Sequence, residues 1–450
     1  MKVHFVAIGG SVMHNLAIAL KRAGHTVSGS DDEIYEPARS NLAEAGLLPA
    51  SEGWDPARIQ SDTEAVILGM HAKKDNPELA KARELGVKVY SFPEFIMEHS
   101  RSKQRVVIAG SHGKTTITSM IMHVLNGLNR KFDYLVGGQV DGFDGGVRLS
   151  KEAPVIILEG DEYLTSPEDA RPKFMVYQPH VAVISGISWD HINVFPTEAE
   201  YGHQFEKLVA GMPKAGMIIF NEGDKRLVNI IKAHGDKEAY YLYPYKAPDY
   251  RIRNGKYEVK IKGNRQAVSV IGAHNMANLA AAWQVCALLA VEIEDFLRLI
   301  STFKGAGKRL EVIHEDGQNV IYKDFAHSPS KVKATAEAVA ELHKKKNIIA
   351  CLELHTFSSL SKEFLSQYKG SLKAVKNKIV YINEHTLKMK NLPAISRDEL
   401  VAAFGDKKLI FASNAEELAS EVAKMKGSEN IFLMMSSGNF AGKDLKELVL

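Results

Sequence analysis

The sequence predicts an α/β protein of three domains, and three observations carry this. Short apolar, β-branched runs alternate with amphipathic helical patterns along the chain, the arrangement that builds parallel sheets. One such run, residues 106–109, empties into Gly110-Ser111-His112-Gly113-Lys114-Thr115-Thr116 and then a helical pattern. The chain has 450 residues, too many for one core at ~150 residues per domain. The polar segment 98–104 and the glycine-bearing segment 304–309 divide it into sections 1–103, 104–307 and 308–450.

The first section opens with a strand at residues 3–8, a turn at Gly9-Gly10-Ser11 and a helix at 13–23. A second strand at 26–30 ends in Ser30-Asp31-Asp32. A strand, a glycine turn, a helix and an acid closing the next strand is the outline of a Rossmann-like βαβ unit. The third fingerprint glycine is missing, so an α/β unit without a ligand stands beside the nucleotide-binding reading. Strands at 65–69 and 86–90, with a helix at 77–85 between them, continue the alternation.

The second section begins at the glycine loop. Glycines let backbone N–H groups approach phosphate oxygens, and the helix N-terminus adds favourable partial charge. Lys114 is placed to neutralise β/γ-phosphates and the Thr115 hydroxyl to hold Mg²⁺. Only Ser111 and His112 separate Gly110 from Gly113, so the spacing is shorter than the usual phosphate-loop pattern. A strand at 155–158 stops at Glu159-Gly160-Asp161-Glu162, and a second at 181–187 leads into Trp189-Asp190-His191. Placed side by side, these strands bring Glu159 and His191 to one end, where oxygen ligands suit a hard cation. A solvated acidic loop and a satisfied structural histidine are the plainer alternatives. After a strand-rich stretch, Asn275 and Asn278 share a face at the start of an alanine-rich helix. There they cap the helix or read a purine edge.

The third section alternates again. A strand at 319–324 ends in Asp324, a turn carries His327, and a helix covers 330–343. Strands follow at 348–354, 378–382, 408–411 and 430–435, and the last leads into Ser436-Ser437-Gly438-Asn439-Phe440.

Bulk properties exclude some classes. A net charge of +3 is too small to argue for nucleic acid or an anionic membrane surface. Cys286 and Cys351 lie far apart in apolar runs, which gives no disulfide framework or metal spacing and suits a reducing compartment. No run is long enough to span a bilayer, and the N-terminal apolar stretch is too short for a signal peptide. The expected location is the cytoplasm.

Read together, the motifs resemble the Mur ligases, the ATP-dependent family that adds amino acids or peptides to UDP-N-acetylmuramate. The resemblance covers nearly the whole chain. The Gly-Ser-His-Gly-Lys-Thr-Thr loop, Glu159-Gly160-Asp161-Glu162, Asp190-His191, His274-Asn275-Met276-Ala277-Asn278, Lys308-Arg309 and Asp324-Phe325-Ala326-His327 occur in the family order. The resemblance implies a Rossmann-like UDP-binding domain, a central P-loop ATPase-type domain and a C-terminal Rossmann-like domain that binds the amine. It implies UDP contacts at Gly9, Gly10, Ser11, Ser30 and Asp31. It implies ATP contacts from Gly110 through Thr116 and at Asn275, Asn278, Arg309 and Asp324. Thr115, Glu159 and His191 match Mg²⁺ ligands, and Lys114 matches the catalytic lysine. His327 is a candidate base or orienter for the amine. The implied partners are small molecules, with no nucleic acid and no membrane.

Within the family, several segments are most similar to members that attach the whole tripeptide L-Ala-γ-D-Glu-meso-diaminopimelate during peptidoglycan recycling. These are Ser30-Asp31 with Ile34-Tyr35-Glu36-Pro37, Gly137-Gly138 with Arg148-Leu149, Asp161-Glu162-Tyr163 with Arg171-Pro172-Lys173-Phe174, and 435–440. The alternative is attachment of L-alanine during peptidoglycan biosynthesis. Two positions depart from the family: His14 stands where a small residue is usual, and 353–358 contains no arginine. The chemistry implied is conversion of a carboxylate to an acyl phosphate by ATP, followed by attack of an amine. Closure of the third domain would then shield the acyl phosphate from water. A P-loop NTPase that ignores UDP-sugars is a more distant reading, and a NAD-dependent oxidoreductase lacks the third glycine it would need.

Overall fold

The computed structural model describes all residues except 139, 191–193, 236, 237 and 308. The chain forms two compact units. One comprises Met1–Ile187, Glu198–Lys246 and Ala281–Glu292; the other comprises Ser188–Thr197, Ala247–Ala280 and Ile293–Leu450.

The first unit holds two sheets. Strands β1 (Lys2–Val6), β2 (Thr26–Ser30), β3 (Ala65–Leu68) and β4 (Lys88–Ser91) form a parallel sheet in the order β2-β1-β3-β4. The chain leaves β1 first to one side and then to the other. This puts a topological switch at the Gly9-Gly10 turn, where ligands of such sheets bind. Val6, Val66 and Leu68 pack with Leu79 and Ala82 of the helix Pro77–Glu84 into a buried cluster.

The second sheet of this unit contains β5 (Gln104–Ala109), β6 (Asp133–Leu135), β7 (Val147–Arg148), β8 (Val155–Glu159), β9 (Val181–Ile184), β10 (Met217–Asn221) and β11 (Tyr241–Tyr245). Its order is β11-β10-β9-β5-β8-β6-β7, and only β7 runs antiparallel. This corrects one expectation: β8 and β9 are not side by side. β5 lies between them and pairs with both, Ile108 facing Glu159 on one side and Val183 on the other. The physical reason is that β5 is buried on both faces, with Val106 to Ala109 fully inaccessible, as a central strand of a parallel sheet must be. The switch point therefore falls at the end of β5 itself.

The second unit also holds two sheets. Strands β12 (Tyr250–Arg253), β13 (Lys256–Ile261) and β14 (Asn264–Val268) form an antiparallel meander. Strands β15 (Glu311–Glu315), β16 (Asn319–Asp324), β17 (Asn347–Glu353), β18 (Asn377–Tyr381), β19 (Ile410–Ala412) and β20 (Asn430–Met435) form a sheet in the order β15-β16-β20-β17-β18-β19. All its pairings are parallel except β15 with β16, where a bulge interrupts the register between Val312 and His314. Ile321, Cys351, Phe432 and Met434 pack to one face with Leu418 and Val422. Tyr322, Leu352 and Leu433 pack to the other with Val332 and Val339 of the helix Pro329–Leu342. Both faces are covered, so these strands read in the sequence as continuous apolar runs.

Candidate active site

In the first unit, the loop after β5 turns through Gly110 at φ 114° and Gly113 at φ 79°, a region that favours glycine. A Cβ on Gly110 would stand 2.8 Å from the Ser185 nitrogen and 2.9 Å from the Gly186 oxygen. Ser111 donates its backbone N–H to that Gly186 carbonyl at 2.9 Å and its hydroxyl to the same oxygen at 3.1 Å. The Ser185 hydroxyl donates to the His112 carbonyl. The loop is thus tied to the end of β9. Gly113 is the N-cap of the helix Lys114–Gly127, which contains Thr115 and Thr116. It offers no side chain to the first-turn N–H groups, which leaves them for an anion.

Lys114 donates to the Gly110 carbonyl at 2.7 Å and to Glu162 Oε2 at 2.6 Å. Burial works against its charge, but Glu162, Asp161 and Glu159 together hold its pKa above the ordinary lysine value. Tyr201 donates to the other Glu162 oxygen at 3.0 Å. The sequence places Glu162 among strand-end carboxylates suited to a cation, whereas its partner in the structure is Lys114. Thr115 Oγ1 donates to Glu159 Oε1 at 2.8 Å, and the Gly137 N–H donates to Glu159 Oε2 at 2.8 Å. A hydroxyl and a carboxylate in contact beside a phosphate loop form an oxygen donor set that fits Mg²⁺. Among the described residues no group of three or more His, Cys, Asp or Glu gathers as a metal cage. Mg²⁺ at phosphate sites commonly takes only one or two protein ligands and completes its shell with phosphate and water. His191, the remaining expected ligand, lies outside the described residues.

At the other switch point, the Gly9 N–H donates to Asp31 Oδ2 at 2.7 Å. A Cβ on Gly9 would meet that oxygen at 2.9 Å, so the acid closing β2 and the glycine turn are matched to each other. Burial pushes the Asp31 carboxyl up to about 6. Ser30 is fully buried, donates to Glu78 at 2.6 Å and accepts from Arg58 at 2.7 Å. Ser11 opens the helix Ser11–Arg22 after Gly10. His14 is buried, which lowers its pKa, and its ring bonds to the Gly10 carbonyl at 2.9 Å.

The second unit brings together the other expected residues. Asn275 and Asn278 lie in the first turns of the helix Ala273–Leu288. Asn278 donates to Asn275 Oδ1 at 3.1 Å, and Asn275 donates to the Ile271 carbonyl at 2.9 Å. Asp324, at the end of β16, accepts from Thr335 at 2.6 Å and from the Ala326 N–H at 3.2 Å; burial raises its pKa, against the nearby Arg309. The Arg309 guanidinium lies 4.7 Å over the Phe325 ring. His327 bonds through Nδ1 to the Phe325 carbonyl at 2.8 Å. Burial first, and Lys331 second, pull its pKa down to about 4, so the ring is neutral at pH 7 and Nε2 is left as an acceptor.

His327 lines a cavity of about 380 Å³ within this unit, together with Asp190, His355, Phe357, Lys390 and Ser437. Asp190 pairs with Lys331 at 3.2 Å. Glu353, buried at the end of β17, accepts from Ser436 and from the Phe440 N–H at 2.9 Å, which pins the loop that carries Ser437. Lys390 was not foreseen from the sequence, since nothing local in a helix end marks it.

These two parts are a nucleotide-phosphate cradle at a switch point and a polar cavity at the carboxyl ends of a second parallel sheet. The first suits a phosphate and the second a small polar molecule. Comparison with known proteins agrees. Residues 2–104 match the Mur ligase family, catalytic domain; residues 108–286 match the Mur ligase middle domain; and residues 308–438 match the Mur ligase, glutamate ligase domain. A UDP-N-acetylmuramate–L-alanine ligase of Caldicellulosiruptor bescii is 30% identical over 455 residues, 97% of this chain and 96% of that protein. A UDP-N-acetylmuramate–L-alanyl-γ-D-glutamyl-meso-2,6-diaminoheptandioate ligase of Haemophilus influenzae is 27% identical, covering 94% of this chain and 87% of that protein. The crystal structure of a UDP-N-acetylmuramate-alanine ligase from Thermotoga maritima shares the fold, with a TM-score of 0.70 at 21% identity over 98% of this chain and 97% of that one. The chain belongs to the Mur ligase family. It is therefore an ATP-dependent, ADP-forming amide ligase. No helix among the described residues is long and apolar enough to cross a membrane.

Proposed function

We propose that the enzyme joins the carboxyl group of UDP-N-acetylmuramate to the amine of L-Ala-γ-D-Glu-meso-diaminopimelate. What supports this amine is that segments similar to the tripeptide-attaching members, 34–37, 161–163 with 171–174 and 435–440, lie in all three sections of the chain. The ~380 Å³ cavity beside His327 equals about a dozen waters at ~30 Å³ each, more than the six non-hydrogen atoms of alanine require and room for one end of a tripeptide. It also lies in the ~300–1,000 Å³ range of sites that hold larger small molecules. The second reading, L-alanine as the amine, is favoured by the relatives named as L-alanine ligases.

In the proposed reaction, a carboxylate oxygen of UDP-N-acetylmuramate takes the γ-phosphoryl group of ATP and ADP leaves. Lys114 stabilises charge on the transferring group. Thr115, Glu159 and His191 would hold Mg²⁺, whose chemistry is to neutralise phosphate charge. The amine nitrogen then attacks the acyl carbon, the carbon–oxygen bond to phosphate breaks, and the departing phosphate takes the proton that the nitrogen loses. His327 Nε2 accepts from the amine and orients its lone pair. A pKa near 4 suits this positioning more than lasting proton storage. Asn275, Asn278, Arg309 and Asp324 serve the nucleotide, and the Gly9-Gly10-Ser11 turn with Ser30 and Asp31 serves UDP. We place the enzyme in the cytoplasm, in keeping with two buried, free cysteines.

The test is phosphate release by the purified protein with UDP-N-acetylmuramate and either amine. A higher kcat/KM for the tripeptide is expected. A higher value for L-alanine transfers the assignment to the second reading. Release that ignores UDP-N-acetylmuramate defeats both.

A further inference from the structure

The segment after β17 lacks an arginine, yet the amine substrate in either reading carries at least one carboxylate that must be met. Among the described residues Lys390 is the one lysine or arginine that lines the cavity. Nearby, Lys331 pairs with Asp190 at 3.2 Å and Lys362 pairs with Glu399 at 2.5 Å. Lys390 follows the helix Glu384–Met389 as its C-cap. Its ammonium lies 4.3 Å from the centroid of the Phe357 ring, and among the described residues no carboxylate pairs with it. The ring face attracts the cation while leaving its N–H donors free for an anion. A second observation marks the same cavity as a ligand site. Ser328 Oγ, His355 Nδ1 and Ser437 Oγ are buried atoms with no hydrogen-bond partner, and all three residues line it. Ser328 is 4% exposed, and His355 Nδ1 stands 4.0 Å from Glu353, too far for a hydrogen bond. Buried polar atoms are normally completed by a protein group, a water or a bound molecule, and three gathered in one cavity offer a polar shell.

We infer that Lys390, held over Phe357, is the cation that receives a carboxylate of the amine substrate, with Ser437, His355 and Ser328 completing the polar shell. Lys390 is a specificity-determining residue in this arrangement. Asp190 and His327 line the same cavity and suit the amine end, so the site fits a molecule with both charges. The inference rests on the ligase reading above and deepens it. A lysine is a movable point charge, so it tolerates several carboxylate geometries where an arginine fork would demand one. That suits a peptide with carboxylates at several positions.

The test compares wild type, Lys390→Met, Lys390→Arg and, as a control on the same helix, Lys388→Met. Amide formation is measured at saturating ATP and UDP-N-acetylmuramate, with the tripeptide and with versions in which its carboxylates are converted to amides one at a time. In wild type, one amide should lose about 10–100-fold in kcat/KM, the worth of a charge-assisted hydrogen bond. Lys390→Met should lose a similar factor on the parent tripeptide, mostly in KM, and should no longer distinguish it from that amide. Lys390→Arg should restore the distinction in part, and Lys388→Met should match wild type. If L-alanine proves to be the amine, L-alanine and L-alaninamide take the two roles with the same expectation. A Lys390→Met enzyme that keeps the wild-type preference for acid over amide overturns the inference and leaves the ligase reading standing. A wild type indifferent to amidation does the same. A wild type that ligates no amine overturns both.

Discussion

Lys114 Nζ lies 2.6 Å from Glu162 Oε2 and 2.7 Å from the Gly110 carbonyl. Lys114 is thus held in place by a buried carboxylate. Lys114→Ala removes the charge that, in the proposed reaction, stabilises the transferring phosphoryl group. Turnover should fall on the order of 10²–10³-fold or more. Glu162→Gln keeps an acceptor for Tyr201 and should cost less. Near-normal turnover of folded Lys114→Ala, with circular dichroism as the fold control, would remove Lys114 from the mechanism.

Glu159 accepts from both the Thr115 hydroxyl and the Gly137 N–H, each at 2.8 Å. Glu159→Ala should raise the Mg²⁺ concentration needed for half-maximal activity, and excess Mg²⁺ should restore part of the rate. A magnesium titration of the two proteins decides this. An unchanged midpoint would return Glu159 to a purely structural role, that of tethering Gly137.

Burial pulls both His274 and His327 down to about 4, from an ordinary value of 6.5. In this window the unfolded chain binds protons that the folded chain refuses. Stability should therefore rise as pH climbs from about 4 to 6.5, by up to ~1.4 kcal/mol per pH unit for each histidine. Above pH 6.5 the contribution is flat. Urea unfolding of the full chain from pH 4.5 to 7.5 should show this slope, and His327→Gln should reduce it by about one proton. A slope that His327→Gln leaves unaltered would mean that His327 titrates normally.

Glu353 is 2% exposed and takes hydrogen bonds from Ser436 and the Phe440 N–H. Phe440 and Ala441 both sit at positive φ, 50° and 58°, so the turn depends on such anchors. Glu353→Ala orphans two buried donors, at a cost of about 1–3 kcal/mol for each. It should also raise KM for the amine, because Ser437 lines the cavity. Thermal melting and acceptor titration read the two effects separately, and a variant with wild-type values in both would show that the loop holds itself.

Much of the fold was legible in the chain. Strands β2, β16 and β20 have the bounds expected from the sequence, and the glycine loop stands at the strand-to-helix junction its residues require. The signals are short-range: β-branched runs, helical periodicity and glycines at positive φ act within a few residues. Strands β12 and β14 were harder to see because exposed meander strands alternate polar residues without a continuous apolar run.

The α/β class, the glycine loop with Lys114 and Thr115 and the ordered motifs that resemble the Mur ligases are readable from residue order alone. That β5 separates β8 from β9, that Lys114 rests on Glu162 and that Lys390 shares a cavity with His327 and His355 emerge with packing. The physical reason is that strand order and side-chain convergence depend on how distant elements pack. A lysine at a helix end looks like any solvated charge until the fold places a ring beneath it and polar atoms around it.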